Sequence, residues 1–410
     1  MRFLRLLEMN KNIKALYEIA QKETRKILGL MSGTSLDGLD LALCEVSGEG
    51  GNTVVKIQQF ETVDYNDDIK TEIRKVFAKK TIDFQHLVLL NEWIADLHAG
   101  MINDCLSKWN IPASEVDLIA SHGQTVLHAP KFLHQQEKFP NATLQIGDGD
   151  HIAVKTGIIT LSDFRQKHVA AGGEGAPLAV YGDYLLFSKK DENRIMLNMG
   201  GIANFTYLPA SQNAEEVFVT DTGTANTLID IFTKQFFPEK SFDKDAEIAK
   251  QGTVNQELLC ELKSDAFFQK SFPKTIGQEL FNHEFVNSAL VKLGLHNISA
   301  PDLLATLTRF SAETIAEAVL FVVQNTKTPI EEFTVYMSGG GARNPLLVSW
   351  LQELLSCKFE KSDVLGISGD AKEAVLFAVL ANETVAGGNY NFGSQKGIPS
   401  VTMGKISFPD

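Results

Sequence analysis

Residues 28–40 read LGLMSGTSLDGLD, and the parsing of this stretch decides the fold of the first half of the chain. Ile27 to Met31 is a short apolar run with the character of a buried strand. SGTSLDG follows, and its glycines, hydroxyls and aspartate are turn chemistry. Leu39 to Val46, LDLALCEV, reads as a second strand, and Thr53 to Val63 alternates as a third. Strand, glycine turn, strand, strand is a meander whose first turn is phosphate-sized.

Further along, helical spacing runs from Thr81 to Leu106. Val116 to Ser121 is a buried strand that ends in a polar cluster, SHGQT. QIGDGDHIAVKTG leads into IITLSDFR, a strand whose end carries charge, and Gly172 to Phe187 starts glycine-rich and becomes a helix. At Arg194 the opening pattern returns. RIMLNMGGIANFTYLP is strand, glycine turn, strand, and EVFVTDTGTANTLID is a third strand with a polar turn feeding a helix. The second half then turns mostly helical. It ends with the strand and turn FTVYMSGGGARNPLL, then the loop and helix GISGDAKEAVLFAVLA, before a Gly-, Asn- and Ser-rich irregular tail from Asn389. The expectation is an α/β chain of two related halves: a helical extension over residues 1–25, a domain over 26–190, and a domain over 191–410. The second domain carries a helical insertion, and its last helix is free to pack back on the first.

A chain of 410 residues exceeds one compact core; two domains of about 150–200 residues each is the natural division. The charge of −13 argues against a nucleic-acid partner, since backbone binding needs a basic surface. It also means an anionic ligand must be met by backbone N–H groups or a few placed cations. No run of about 18 apolar residues is present to span a membrane. The four cysteines, Cys44, Cys105, Cys260 and Cys357, form no C-x-x-C pair, which points to reduced thiols in a cytoplasmic protein rather than to zinc or a disulfide framework. The segment before Arg25 has its apolar run broken by charges, unlike a secretory leader.

Three glycine-bearing turns follow strands: Gly33 to Gly38, Gly223 with its neighbours, and Gly339, Gly340 and Gly341. Such turns let a backbone approach a ligand and point successive N–H groups at an anion. The first adds the hydroxyls of Ser32, Thr34 and Ser35 and the carboxylates of Asp37 and Asp40. Hydroxyls suit phosphate oxygens, and a carboxylate suits Mg²⁺ or its water shell. It is not a Walker A loop, lacking G-K-[ST], nor a dinucleotide fingerprint, since it leads into a strand. A β-turn using Gly and Asp for geometry alone is an equally good reading of any one turn, and three such turns after strands weigh against it.

Asp221, at the end of the strand EVFVTD, suits a general base; equally, it suits an N-cap for the helix that follows. His122 within SHGQT is either catalytic or a hydrogen-bonded strand-end histidine. Asp163 and Arg165 in SDFR are either a structural pair or, for the arginine, a bidentate carboxylate binder. Glu373 opens an apolar helix, where an acid favours the helix dipole or meets a ligand.

From about Lys26 to its end the chain resembles the anhydro-N-acetylmuramic acid kinases. The resemblance rests on GLMSGTSLDGLD, SHGQT, QIGDGDHIA, DFRQKHVAAGGEGAPL, LNMGGIAN, DTGTAN, DKDAEIA, PKTIGQELFN, SGGGARNPLL and GISGDAKEA, in that order. It implies two ribonuclease-H-like domains of the actin, Hsp70 and sugar-kinase type with a cleft between them. It implies that ATP and water convert 1,6-anhydro-N-acetylmuramic acid to N-acetylmuramic acid 6-phosphate and ADP, in cytoplasmic recycling of cell-wall sugar, with Mg²⁺ as the metal. By the same resemblance Asp221 is the base, and Gly33, Thr34, Ser35, Leu36, Asp37, Gly38, Leu39 and Asp40 bind phosphate. Gly223, Gly339, Gly340, Gly341 and Asn344 join the nucleotide site, and His122, Asp163, Arg165 and Glu373 lie on the sugar side.

Two departures from the family pattern stand out. DTGTAN replaces DTGPGN, so the turn at Thr224 and Ala225 is expected to differ locally. Met31 also stands where the wider superfamily has an acid, leaving Asp37 as the nearest Mg²⁺ candidate. The expected partners are a small amino sugar and ATP, with no nucleic acid or membrane and with a homodimer allowed. The competing readings are a sugar kinase that acts on an ordinary hydroxyl, and a nucleotide-switched binding protein.

Overall fold

The computed structural model describes residues 9–176, 178–276, 280–388, 390–393 and 398–410. The start of the N-terminal segment, Pro177 of GGEGAPL, residues 277–279 of PKTIGQELFN and parts of the tail therefore lie outside the described residues. Contacts divide the chain into two units, Met1–Phe187 with Asp370–Asp410, and Ser188–Gly369. Where the sequence reading ran the second domain to 410, the residues from Asp370 onward group with the first unit.

The first unit is built on β1 (Thr24–Ser32), β2 (Gly38–Ser47), β3 (Val54–Asp64), β4 (Leu118–Ala129), β5 (Ala142–Ile146) and β6 (Thr160–Ser162). The second is built on β7 (Asn193–Met199), β8 (Ile202–Leu208), β9 (Phe218–Thr224), β10 (Phe333–Ser338) and β11 (Lys358–Lys361). A last strand, β12 (Lys405–Ser407), returns to the first sheet and pairs antiparallel with β6. The tail expected to be irregular thus ends in a strand, one too short to carry a periodic signal.

Strand order is β12-β6-β4-β1-β2-β3 in one sheet, with β5 on β4, and β11-β10-β7-β8-β9 in the other. In both, the first three strands form an antiparallel meander. The next strands then add parallel to the first strand's far side. Parallel additions need a crossover. The helix Phe84–Lys108 lies between β3 and β4 in the sequence, and the helix Ala300–Thr326 between β9 and β10. Setting aside β5, an added antiparallel partner of β4, both sheets run third, second, first, fourth and then one further parallel strand (β6 or β11), the ribonuclease-H-like arrangement, present twice.

β1 is apolar because both its faces are covered: from Ile27 to Ser32 every residue is buried. One face meets the core of Leu41, Leu43, Ile94, Ile102 and Ile119. The other meets the helix Lys372–Ala386, and Gly29 makes that contact possible. A Cβ at position 29 would lie 1.9 Å from the Ala374 carbonyl oxygen, so only glycine lets the helix backbone sit so close. That helix is pinned at its start by an ion pair from Lys372 to the buried Asp183 at 2.6 Å.

The helix Lys11–Ala20 is capped by Asn10 and tied down by Arg25. The Arg25 guanidinium donates to the carbonyls of Ile19, Ala20 and Lys22 and to Asn382. Cys44 and Cys105 are buried, Cys357 is partly so, and Cys260 is exposed. No helix among the described residues is long and apolar enough to cross a membrane.

Candidate active site

The turn after β1 hangs between Ser32 and Gly38. Leu36 sits in the left-handed region at φ 61°, and its N–H reaches the Gly33 carbonyl at 3.4 Å. Leu36 and Leu39 send their side chains into the core, so of these two only the backbone is left to face a ligand. Thr34, Ser35 and Asp37 are exposed on the turn, while Ser32 is fully buried beneath it. Asp40 is half-buried and accepts the Thr62 hydroxyl at 2.6 Å. Burial, with Asp370 and Asp37 nearby, raises its pKa against the lowering effect of that bond.

SHGQT does not follow a strand end, as its polarity suggested. β4 continues through it to Ala129, because β5 pairs with its outer half. His122 is therefore buried within the sheet. Its Nδ1–H donates to the Gly123 carbonyl at 2.8 Å, which leaves Nε2 to accept the Arg165 Nε–H at 2.9 Å. Burial and the neighbouring guanidinium push the imidazole pKa down to about 3. Neutral and with both nitrogens engaged, His122 orients Arg165 rather than moving a proton.

Arg165 also donates from Nη1 to the Gly175 carbonyl at 2.6 Å, and burial lowers its pKa to about 10, opposed by Glu373. Asp163 forms no pair with Arg165. It adopts a left-handed conformation, φ 56°, at the start of the helix Phe164–Ala170 and binds Lys405 of β12. Glu373 remains exposed in the first turn of its helix, yet crowding around it raises its pKa, with Arg165 pulling the other way. The arrangement offers a fixed guanidinium beside an acid, suited to a polar ligand bearing a carboxylate.

In the second unit Asp221 lies inside β9, which runs on to Thr224. It does not cap the following helix, Thr227–Phe236, whose N-cap is Asn226. Its N–H donates to the Lys274 carbonyl at 2.9 Å, and its Oδ2 accepts the Ile276 N–H at 2.8 Å. Burial raises its pKa to about 6 against that bond, within reach of a base working near neutrality. Lys274, part of PKTIGQELFN but not singled out there as a site residue, anchors this segment. Its buried ammonium lies 4.3 Å from the Phe272 ring centre and donates to the Phe268 carbonyl at 3.0 Å.

Gly339 has φ 80°, and a Cβ there would meet the Met199 carbonyl oxygen at 2.6 Å. Glycine thus lets the turn after β10 pack onto the turn after β7. Asn226 closes this cluster by donating to the carbonyls of Met199 and Gly200. Gly340 and Gly341 lie in the same 3₁₀ turn, and Asn344 uses its side-chain oxygen to cap the helix Pro345–Leu354. The unusual DTGTAN segment is accommodated. The Thr224 hydroxyl reaches the Gly201 carbonyl and accepts the Leu228 N–H, both at 3.4 Å. Ala225 fills the core, next to Gly223 at the end of β9.

Among the described residues no group of three or more His, Cys, Asp or Glu could hold a metal. Mg²⁺ bound with a nucleotide takes one or two carboxylates and leaves the remaining positions to phosphates and water. Asp40 lies near the charges of Asp37 and Asp370, which makes these the carboxylates close to the turn.

The duplicated sheet, with a glycine turn after the first strand of each copy, defines a protein of the actin, Hsp70 and sugar-kinase superfamily. Within it, the chain belongs to the anhydro-N-acetylmuramic acid kinase family, whose family model matches residues 25–408. A relative from Pseudoalteromonas atlantica named anhydro-N-acetylmuramic acid kinase is 53% identical over 405 residues, 98% of this chain and all of the relative. One of the same name from Pseudoalteromonas translucida is 49% identical over the same shares. A third, from Caldanaerobacter subterraneus, is 38% identical over 96% of this chain and 99% of the relative.

Proposed function

We propose that the chain opens 1,6-anhydro-N-acetylmuramic acid with water and phosphorylates the freed O6 from ATP, in cytoplasmic recycling of cell-wall sugar. Family membership supports the reaction, and the carboxylate of Asp221, its pKa raised to about 6, is the single observation that carries the chemistry. Asp221 takes a proton from water as the water oxygen bonds to C1 and the C1–O6 bond breaks, as in inverting glycoside hydrolysis. O6 then bonds to the γ-phosphorus, and the bond to the ADP oxygen breaks. This second step asks for positioning and charge neutralisation more than covalent help.

The backbone from Gly33 to Asp40 takes the nucleotide phosphates. Gly223, Gly339, Gly340, Gly341 and Asn344 also contribute to nucleotide binding. Arg165, held by His122, takes the lactyl carboxylate, with Glu373 and Asp163 on the sugar side. Asp37, with Asp40, would hold Mg²⁺, which would supply neutralisation of phosphate charge. Product analysis in ¹⁸O-labelled water tests the reading: one label at C1 of the 6-phosphate is expected. Phosphorylation of the reducing sugar alone, with the anhydro form untouched, would reassign the chain to a kinase of an ordinary hydroxyl. Nucleotide binding with no sugar product would make it a nucleotide-switched binding protein.

A further inference from the structure

Beneath the first glycine turn lies a chain of polar side chains closed off from water. Ser32, His98 and Gln124 are 0% exposed and Tyr65 is 2% exposed, so water cannot stand in for any of their bonds. Gln124 donates from Nε2 to the carbonyls of Gly33 and Thr125, both at 3.2 Å, which turns its Oε1 toward Ser32. The Ser32 hydroxyl donates to that oxygen at 2.6 Å, so its own oxygen accepts from Tyr65, 2.8 Å away. The one proton of Tyr65 is then used, and its oxygen accepts the Nε2–H of His98 at 2.6 Å. Every link thus has a direction, and the series ends on the carbonyl of Gly33. Tyr65 holds the turn a second time, since its backbone N–H donates to the Asp37 carbonyl at 2.8 Å.

We infer that Tyr65 and His98 are positioning residues for the nucleotide: the directed series His98, Tyr65, Ser32, Gln124 fixes the Gly33 peptide and shapes the turn to receive phosphate. This rests on the proposed function, in which that turn binds the phosphates. An apolar core would serve stability as well as this network does, because buried polar groups gain little net free energy. What the network adds is a single geometry for a turn that contains a left-handed leucine. The buried Nδ1 of His98 has no hydrogen-bond partner, as suits an imidazole held in the Nε2–H form for its contact with Tyr65. Burial pushes the pKa of His98 down to about 4, so the ring stays neutral and the series keeps its direction at neutral pH.

The test uses the full-length chain, with ADP binding by calorimetry in the absence of sugar and KM values for ATP and sugar measured separately. Tyr65→Phe removes one oxygen and keeps the ring. ADP affinity is expected to fall, and KM for ATP to rise, about tenfold, the range for leaving a buried partner unmade. KM for the sugar should stay within about twofold of wild type, as expected when only nucleotide positioning is lost. Adding His98→Phe to Tyr65→Phe should cost nothing further, because the series is already cut. Wild-type ADP affinity in folded Tyr65→Phe, or equal losses for sugar and nucleotide, would overturn the assignment. Should Tyr65→Phe fail to fold, His98→Phe alone is measured the same way, and unchanged ADP affinity there overturns it too. A wild-type chain that binds no ADP overturns both this inference and the proposed function. One that binds ADP but leaves the anhydro sugar intact overturns the function only, and the ratio of variant to wild-type ADP affinity still decides the role of Tyr65.

Discussion

The Nε–H of Arg165 points at Nε2 of His122 across 2.9 Å, and His122 spends its only ring proton on the Gly123 carbonyl. The imidazole is therefore an orienting acceptor for a guanidinium. Replacing it by phenylalanine keeps the packing on Phe377, whose ring lies 4.7 Å away, but removes the acceptor. His122→Phe is expected to raise KM for the sugar about tenfold and leave KM for ATP unchanged, since one buried charged hydrogen bond is lost. Because burial and Arg165 lower the His122 pKa to about 3, it stays neutral from pH 5 to 8. The sugar KM of the wild type should show no histidine titration there, and a rise on acidification through the ordinary histidine range would contradict this role.

Arg165 itself separates charge from geometry. A lysine keeps the positive charge but cannot hold both the His122 nitrogen and the Gly175 carbonyl while presenting a flat donor pair outward. Arg165→Lys is expected to raise the sugar KM about 10- to 100-fold, as when a bidentate contact becomes a point contact. Most of that difference should vanish for an anhydro sugar whose lactyl carboxylate is converted to the amide. Equal losses with acid and amide would place the carboxylate elsewhere.

Much of this architecture is legible in the sequence, for physical reasons. β1, β2, β7 and β8 are apolar runs flanked by glycines, and the repeat of strand, turn, strand at Arg194 announces the second sheet. Polarity misleads at SHGQT and at Asp221. Both lie inside strands, because a sheet tolerates polar residues where a neighbouring strand or segment supplies partners. The series from His98 to Ser32 escapes notice because its members are far apart in the chain. Tyr65 follows a strand and His98 sits in an apolar helix face, and only the packing of that helix joins them. The two ends of the first unit are also brought together by tertiary contacts alone: Asn12 donates to the backbone of Asp410, and the strand Lys405–Ser407 pairs at the sheet edge.

Gly29 offers a stability test apart from any ligand. A methyl group there meets the Ala374 carbonyl oxygen at 1.9 Å and the Ala374 carbonyl carbon at 2.9 Å, and both belong to a helix backbone with no side-chain freedom to yield. Gly29→Ala is expected to destabilise the chain by about 1–3 kcal/mol or more, the cost of overpacking a filled core. Urea or thermal unfolding would read this directly. An unchanged midpoint would mean that the helix Lys372–Ala386 stands further from β1 than described.

Asp221 gives the sharpest pH prediction. A general base works only when deprotonated, and burial raises this carboxyl from the ordinary range to about 6, opposed by the Ile276 N–H. Turnover should therefore fall as pH drops through about 6, well above the range of an unperturbed aspartate near 4. Asp221→Asn should cost about 10²- to 10⁴-fold in turnover and erase that acidic limb, while KM values move little. Ile276→Pro deletes the N–H that donates to Oδ2 at 2.8 Å and leaves the carboxylate in place. The charged form then loses a stabilising bond, so the acidic limb should move to higher pH with the plateau rate largely kept. A limb that stays put in Ile276→Pro, or that persists in Asp221→Asn, belongs to another group and removes Asp221 from the role of base.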